Sequence, residues 1–147
     1  MSRTRGYAHR VDIVAGAAVV WRALTDTESL RKWCSPQAQI NPKEGGHFRA
    51  SVDRVIELEA HIDVLLPERR MRLIYLPNEE LPQNGSAIVD DFILDSADAS
   101  KTILRLLGSG FPATQESDTL YLRLRTGWER AVARLKVLSE QMVKESA

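Results

Sequence analysis

Polar and apolar residues alternate from Tyr7 to Val14 around His9, Val11 and Ile13, the period of a strand with one buried face. The next stretch, Ala15-Gly16-Ala17-Ala18-Val19-Val20-Trp21-Arg22-Ala23-Leu24, reads as a short helix. Thr25-Asp26-Thr27-Glu28 has the form of a capping box, with Thr25 as the cap. It predicts a second short helix through Leu30 and Trp33, ending before Pro36, because the residue preceding a proline is pushed out of the helical region. From Gln37 to about Leu107 the pattern is that of strands, broken by the turn cluster Asn41-Pro42-Lys43-Glu44-Gly45-Gly46, by Pro67-Glu68-Arg69-Arg70 and by a polar loop over 77–85. Alternation predicts one face made of Phe48, Ala50 and Val52, of Ile62 and Val64, of Met71, Leu73 and Tyr75, of Phe92 and Leu94, and of Leu104 and Leu106. Gly108-Ser109-Gly110-Phe111-Pro112 predicts an end to the strands. After Ser117-Asp118-Thr119, Leu120, Leu124, Trp128, Ala131, Leu135 and Leu138 recur at spacings of 4, 4, 3, 4 and 3, one face of a helix of about six turns. Leu124, Trp128, Ala131 and Leu135 are expected to face the strands, and Arg123, Arg130, Arg134 and Lys136 lie on the other side. Strands followed by a segregated helix make an α+β layout.

Composition narrows this picture. A chain of 147 residues, 44% hydrophobic and 27% charged, is expected to be one globular domain over 1–147. Its one cysteine, Cys34, excludes an internal disulfide and a cysteine-based zinc site. No apolar run reaches the roughly 20 residues of a membrane helix, and no apolar segment follows Met1, so a cytoplasmic location is expected. The net charge is zero, distributed as +4 over 1–52, −7 over 53–100 and +3 over 101–147. That balance disfavours a nucleic-acid partner, which would demand a basic surface. It leaves room for a protein partner that reads the acidic middle or the basic helix stripe, or for a homodimer.

Sharp catalytic signatures are missing. No phosphate-binding glycine loop, dinucleotide fingerprint, zinc-protease helix or nucleophile elbow occurs. No catalytic residue, metal ligand set or cofactor is therefore assigned. His9, His47 and His61 fall on strands at positions alternating with core residues, where exposed imidazoles are expected; His47, beside the Gly45-Gly46 turn, is the best placed to act. Cys34 sits at the C-terminal end of a helix, where the dipole does not favour a thiolate, and reads as a small packed residue. Asp90 and Asp91 alternate across a strand. Asp90 shares its face with Ile88, Phe92 and Leu94, which marks it as a buried carboxyl and a polar anchor.

The residues carry a resemblance. Val20-Trp21-Arg22-Ala23-Leu24-Thr25-Asp26 followed by Leu30 and Trp33, then Gly45-Gly46-His47-Phe48, Val64-Leu65-Leu66-Pro67-Glu68-Arg69-Arg70-Met71, Lys101 to Leu106, Gly110-Phe111-Pro112 and Gly127-Trp128 with Leu135 occur in one order over about 7–141. In this the chain resembles the bacterial proteins similar to the C-terminal domain of the activator of heat-shock protein 90 ATPase, in the START/SRPBCC superfamily. It departs from that pattern at Cys34, where an aromatic or polar residue is usual, and over Gln39–Glu44. The resemblance implies the helix-grip fold: a curved antiparallel sheet around a long C-terminal helix, with two short helices after the first strand.

It also implies a hydrophobic small-molecule ligand held in an apolar cavity between sheet and helix. By parity, Phe48, Leu73, Tyr75, Phe92 and Leu104 converge from different strands, Leu124 and Trp128 oppose them one turn apart, and Trp33 closes one end, with His47 and Asp90 as polar anchors. Two other readings follow from the same resemblance: a chaperone-regulator-like interaction domain, and a cyclase- or aromatase-like enzyme that shapes its substrate in the cavity.

Overall fold

A computed structural model describes residues 3–52, 54, 56–80 and 86–146. Strand β1 covers Thr4–Ile13, followed by helices α1 (Ala17–Thr25) and α2 (Thr27–Trp33). Then come β2 (Gln39–Ile40), β3 (His47–Ser51), β4 (Glu57–Leu66), β5 (Arg70–Tyr75), β6 (Val89–Asp98) and β7 (Lys101–Pro112). A 3-10 turn over Gln115–Ser117 leads into α3, Asp118–Ser146. The strands form one antiparallel sheet in the order β1-β7-β6-β5-β4-β3-β2, so the first strand pairs with the last. The α+β arrangement of a curved sheet and a long C-terminal helix, with two short helices after the first strand, is the expected one.

One face of the sheet and one stripe of α3 make the core. Leu124, Trp128, Ala131 and Leu135 are buried, and the Trp128 ring meets Phe92 of β6 edge-on at 5.7 Å. Helices α1 and α2 close one side through Val20, Leu24, Leu30 and Trp33, and the Trp33 indole N–H donates to the Ala23 carbonyl at 2.8 Å.

Local chemistry departs from expectation at three places. The cap of α2 is Asp26, whose carboxylate accepts from the Ser29 N–H at 3.0 Å. Thr25 belongs to α1, and its hydroxyl donates to the Trp21 carbonyl. At the second place, a register shift between Ile62 and Val64 inserts one residue in β4. Val64 then pairs with Arg72 instead of facing inward, and Leu65 takes the inner position opposite Met71. At the third, β7 does not stop before Gly108 but runs on to Pro112. The glycines there permit close backbone approach: Gly110 has φ +85°, and a Cβ on it would lie 1.9 Å from the Ala87 carbonyl oxygen.

Candidate functional site

Three strands place a polar cluster inside the core. Gly108 of β7 pairs with Tyr7 of β1 on one side and with Asp90 of β6 on the other. The three residues therefore form a row across the sheet, pointing to its inner face. Asp90 is fully buried, beside Phe92 and Leu94 as the alternation predicts. The Tyr7 hydroxyl donates to Asp90 Oδ1 at 2.5 Å, and the Tyr75 hydroxyl, from β5, donates to Oδ2 at 2.6 Å. Asp91, one residue on, points the other way and pairs with Arg70 at 2.7 Å.

Among the described residues no cation pairs with Asp90, so the cluster holds a carboxyl on phenol donors alone. Burial pushes the Asp90 carboxyl up to about 6, against the pull of both hydroxyls. Burial raises both tyrosines well above their ordinary range, and the neighbouring carboxylate adds to it. A carboxyl poised near neutrality between two phenols can accept or donate a hydrogen bond, which gives an apolar interior one adaptable polar point. The Trp128 indole N–H is also buried, with no acceptor among the described residues.

All eight apolar or aromatic residues expected to line a cavity, Trp33, Phe48, Leu73, Tyr75, Phe92, Leu104, Leu124 and Trp128, fall in one buried cluster. None is more than 3% exposed, so their side chains are packed against one another and their neighbours. His47 is not among them. It is exposed on the outer face of β3, because Phe48 and Ala50 take the inner positions, and it stands opposite His61 of β4. His9 also differs from its expected exposure: it is half-buried, stacked on Tyr7 at 5.2 Å beneath α3, and burial lowers its imidazole. Cys34 is buried, and burial pushes its thiol up to about 12. It is no nucleophile at neutral pH.

Sequence reasoning found Asp90 and Tyr75 but missed Tyr7. The signal was available: Tyr7 shares the parity of Val11 and Ile13, which pack into the core. What hid it was reading Gly108 as the end of a strand, which left no partner beneath the ring.

With this geometry in hand, comparison with known proteins is informative. Residues 15–140 match the family model described as activator of Hsp90 ATPase homolog 1-like protein. The chain belongs to that family. In sequence, no curated protein matches it. Solved structures similar to this chain include a protein from Mesorhizobium loti, with TM-score 0.78 and 22% identity over 93% of this chain and 98% of that one. The Aha1 dimer from Colwellia psychrerythraea has TM-score 0.75 and 19% identity, over 92% and 96% of the two chains. Norcoclaurine synthase from Thalictrum flavum, solved with dopamine and hydroxybenzaldehyde, has TM-score 0.72 and 11% identity, over 97% and 88%. At these identities the likeness to solved structures is one of fold. Among the described residues no helix is long and apolar enough to cross a membrane, and no group of three or more potential metal ligands forms.

Proposed function

We propose that this chain binds a small, largely apolar molecule between the sheet and α3, with the molecule's polar group on the Tyr7–Asp90–Tyr75 cluster. The observation that carries the reading is the buried carboxyl. An ionisable group in a core, held by two hydroxyls and no cation, costs stability that an apolar residue of similar size would not, and such groups concentrate at functional sites. The indole N–H of Trp128, which has no acceptor among the described residues, supports the same reading, since a buried donor without an acceptor is rare. The norcoclaurine synthase fold holding two small aromatic molecules is a precedent for the fold.

Because the interior is filled, binding requires α3 or the α1–α2 pair to yield. A ligand that buries about 200 Å² of apolar surface gains roughly 5 kcal/mol against that opening. The test is a titration with 4-hydroxybenzaldehyde as a representative small phenol, followed by tryptophan fluorescence and by Tm. A saturable change, weakened about tenfold in Asp90→Asn that remains folded, is the expected result. No saturable change with a panel of small phenols and amines would defeat the reading.

The packed interior favours a second reading, a chaperone-regulator-like interaction domain, as the family's description suggests. It predicts that the chain changes the ATPase rate of an Hsp90-type chaperone, which a coupled ATPase assay measures directly. The Colwellia Aha1 dimer similarly supports self-association, which sedimentation would test.

A further inference from the structure

We propose a second site outside the core: the cleft between the C-terminal end of α2 and the middle of α3 takes the acidic head of a free single-chain amphiphile, and the adjoining groove on α3 takes its apolar body. The cleft has a volume of about 290 Å³ and gathers four cationic side chains, Arg31, Lys32, Arg54 and Arg134. No described residue lining it carries a carboxylate. Glu28 approaches one of the four, Arg31, at 3.8 Å from outside the lining. Among the described residues, Lys32 and Arg54 have no ion-pair partner.

Two of the four cations, Arg31 and Arg134, are anchored by hydrogen bonds to backbone carbonyls. Arg31 Nε donates to the Ala38 carbonyl at 3.0 Å, and Arg134 Nε donates to the Trp33 carbonyl at 2.8 Å. Each guanidinium is thereby fixed by its Nε–H, which leaves terminal N–H groups for an anion, those of Arg31 in competition with Glu28 at 3.8 Å. Ser35 Oγ accepts from the Ser51 N–H at 3.1 Å, which leaves its own hydroxyl proton to donate. Four gathered positive charges, three of them guanidiniums with forked donors, bind a carboxylate or phosphate by charge-assisted hydrogen bonds.

The groove of about 400 Å³ beside this cleft shares Lys32 and Arg134 with it. Its floor is Ala133, Val137 and Leu138, at helical spacing along α3, and Val137 is 54% exposed. An apolar strip that ends in four cations complements a molecule with an apolar chain and an anionic end. A neutral hydrocarbon would use only the strip, and an inorganic anion only the cleft. The recess between two helices admits one chain, which fits a free acid rather than a bilayer surface.

The site shares only Trp33 with the interior site proposed above, so the two can be tested apart. The probe is octanoate added to the full chain, mapped by amide shifts, with octanol, octylamine, inorganic phosphate and phosphatidylglycerol vesicles as comparisons. Octanoate should shift amides around residues 31–35, 51 and 133–141 and bind about tenfold more tightly than octanol or octylamine. Phosphate should shift the cleft alone. Lys32→Glu with Arg54→Gly should weaken octanoate about tenfold without changing Tm; Arg54 has φ 57°, which glycine adopts freely. Val137→Asp should weaken octanoate and leave phosphate unchanged. The proposal is overturned if octanol or octylamine binds as well as octanoate or if the double variant binds it unchanged. It is equally overturned if the shifts centre on Phe92, Leu104 and Trp128, or if only vesicles bind.

Discussion

The ring of Tyr7 lies over Gly108, and its hydroxyl reaches past that glycine to Asp90. A Cβ at position 108 would lie 2.4 Å from the ring carbon Cζ. Gly108→Ala is therefore expected to destabilise the fold by about 1–3 kcal/mol, as overpacking a core does. Chemical denaturation measures the loss. Combining it with Tyr7→Ala should recover part of it, since the two positions share one space. A Gly108→Ala protein of unchanged stability would mean the ring does not rest there.

Asp90 makes stability depend on pH in a stated direction. Its carboxyl titrates near 3.8 when unfolded and about 6 when folded, so between these values the native state holds more of the proton. The carboxyl's contribution is full below about pH 4, falls as pH rises through about 6, and is level above that. The depressed carboxyls, Asp12, Glu57, Asp98 and Glu140, act in the opposite sense below their ordinary values. The readout is therefore the difference between wild type and Asp90→Asn, which should lose its slope between pH 4 and 6. Urea midpoints taken across that range give it, and parallel curves for the two proteins would refute the assignment.

Trp128 is fully buried and meets Phe92 edge-on, at the point where α3 crosses the sheet. Truncation to alanine should cost about 3–5 kcal/mol. A change of less than about 1 kcal/mol in denaturant unfolding would mean that neighbouring side chains close the gap without it.

Asp26 and Thr25 separate two accounts of how α2 begins. Asp26 caps the helix through the Ser29 N–H, so Asp26→Ala should cost about 1 kcal/mol. Thr25→Ala, which removes only a hydroxyl bond back to Trp21, should cost less. Thermal unfolding of the two variants side by side orders them, and the reverse order would restore Thr25 as the cap.

Much of this fold was legible because it rests on periodicity. The stripe of Leu124, Trp128, Ala131 and Leu135 and the alternation through Phe92 and Asp90 each follow from local spacing, and each is buried in the structure. What failed to show was whatever one inserted residue or one missing side chain controls. The extra residue before Val64 turns a correct parity into a wrong one for the rest of that strand. The bare backbone of Gly108, read as a break, is the floor beneath Tyr7. His47 was assigned from its nearness to a turn, whereas its direction is set by Phe48 next to it. Packing density was not legible at all, because a set of large apolar residues describes the walls of a void and the filling of one equally well.

The pairing of the first strand with the last also governs how this chain reaches its native state. Tyr75 lies 15 residues from Asp90, whereas Tyr7 lies 83 residues away. During synthesis β1 emerges before its partner: Gly108 of β7 follows Tyr7, with which it pairs, by 101 residues. Closing so long a loop before its contacts form is entropically slow. Until then one edge of the nascent sheet stays open and Asp90 has only one of its two donors. A chain whose N-terminal strand had not docked would therefore leave the edge of β7 unpaired and Asp90 with one donor, and unpaired sheet edges favour association between copies.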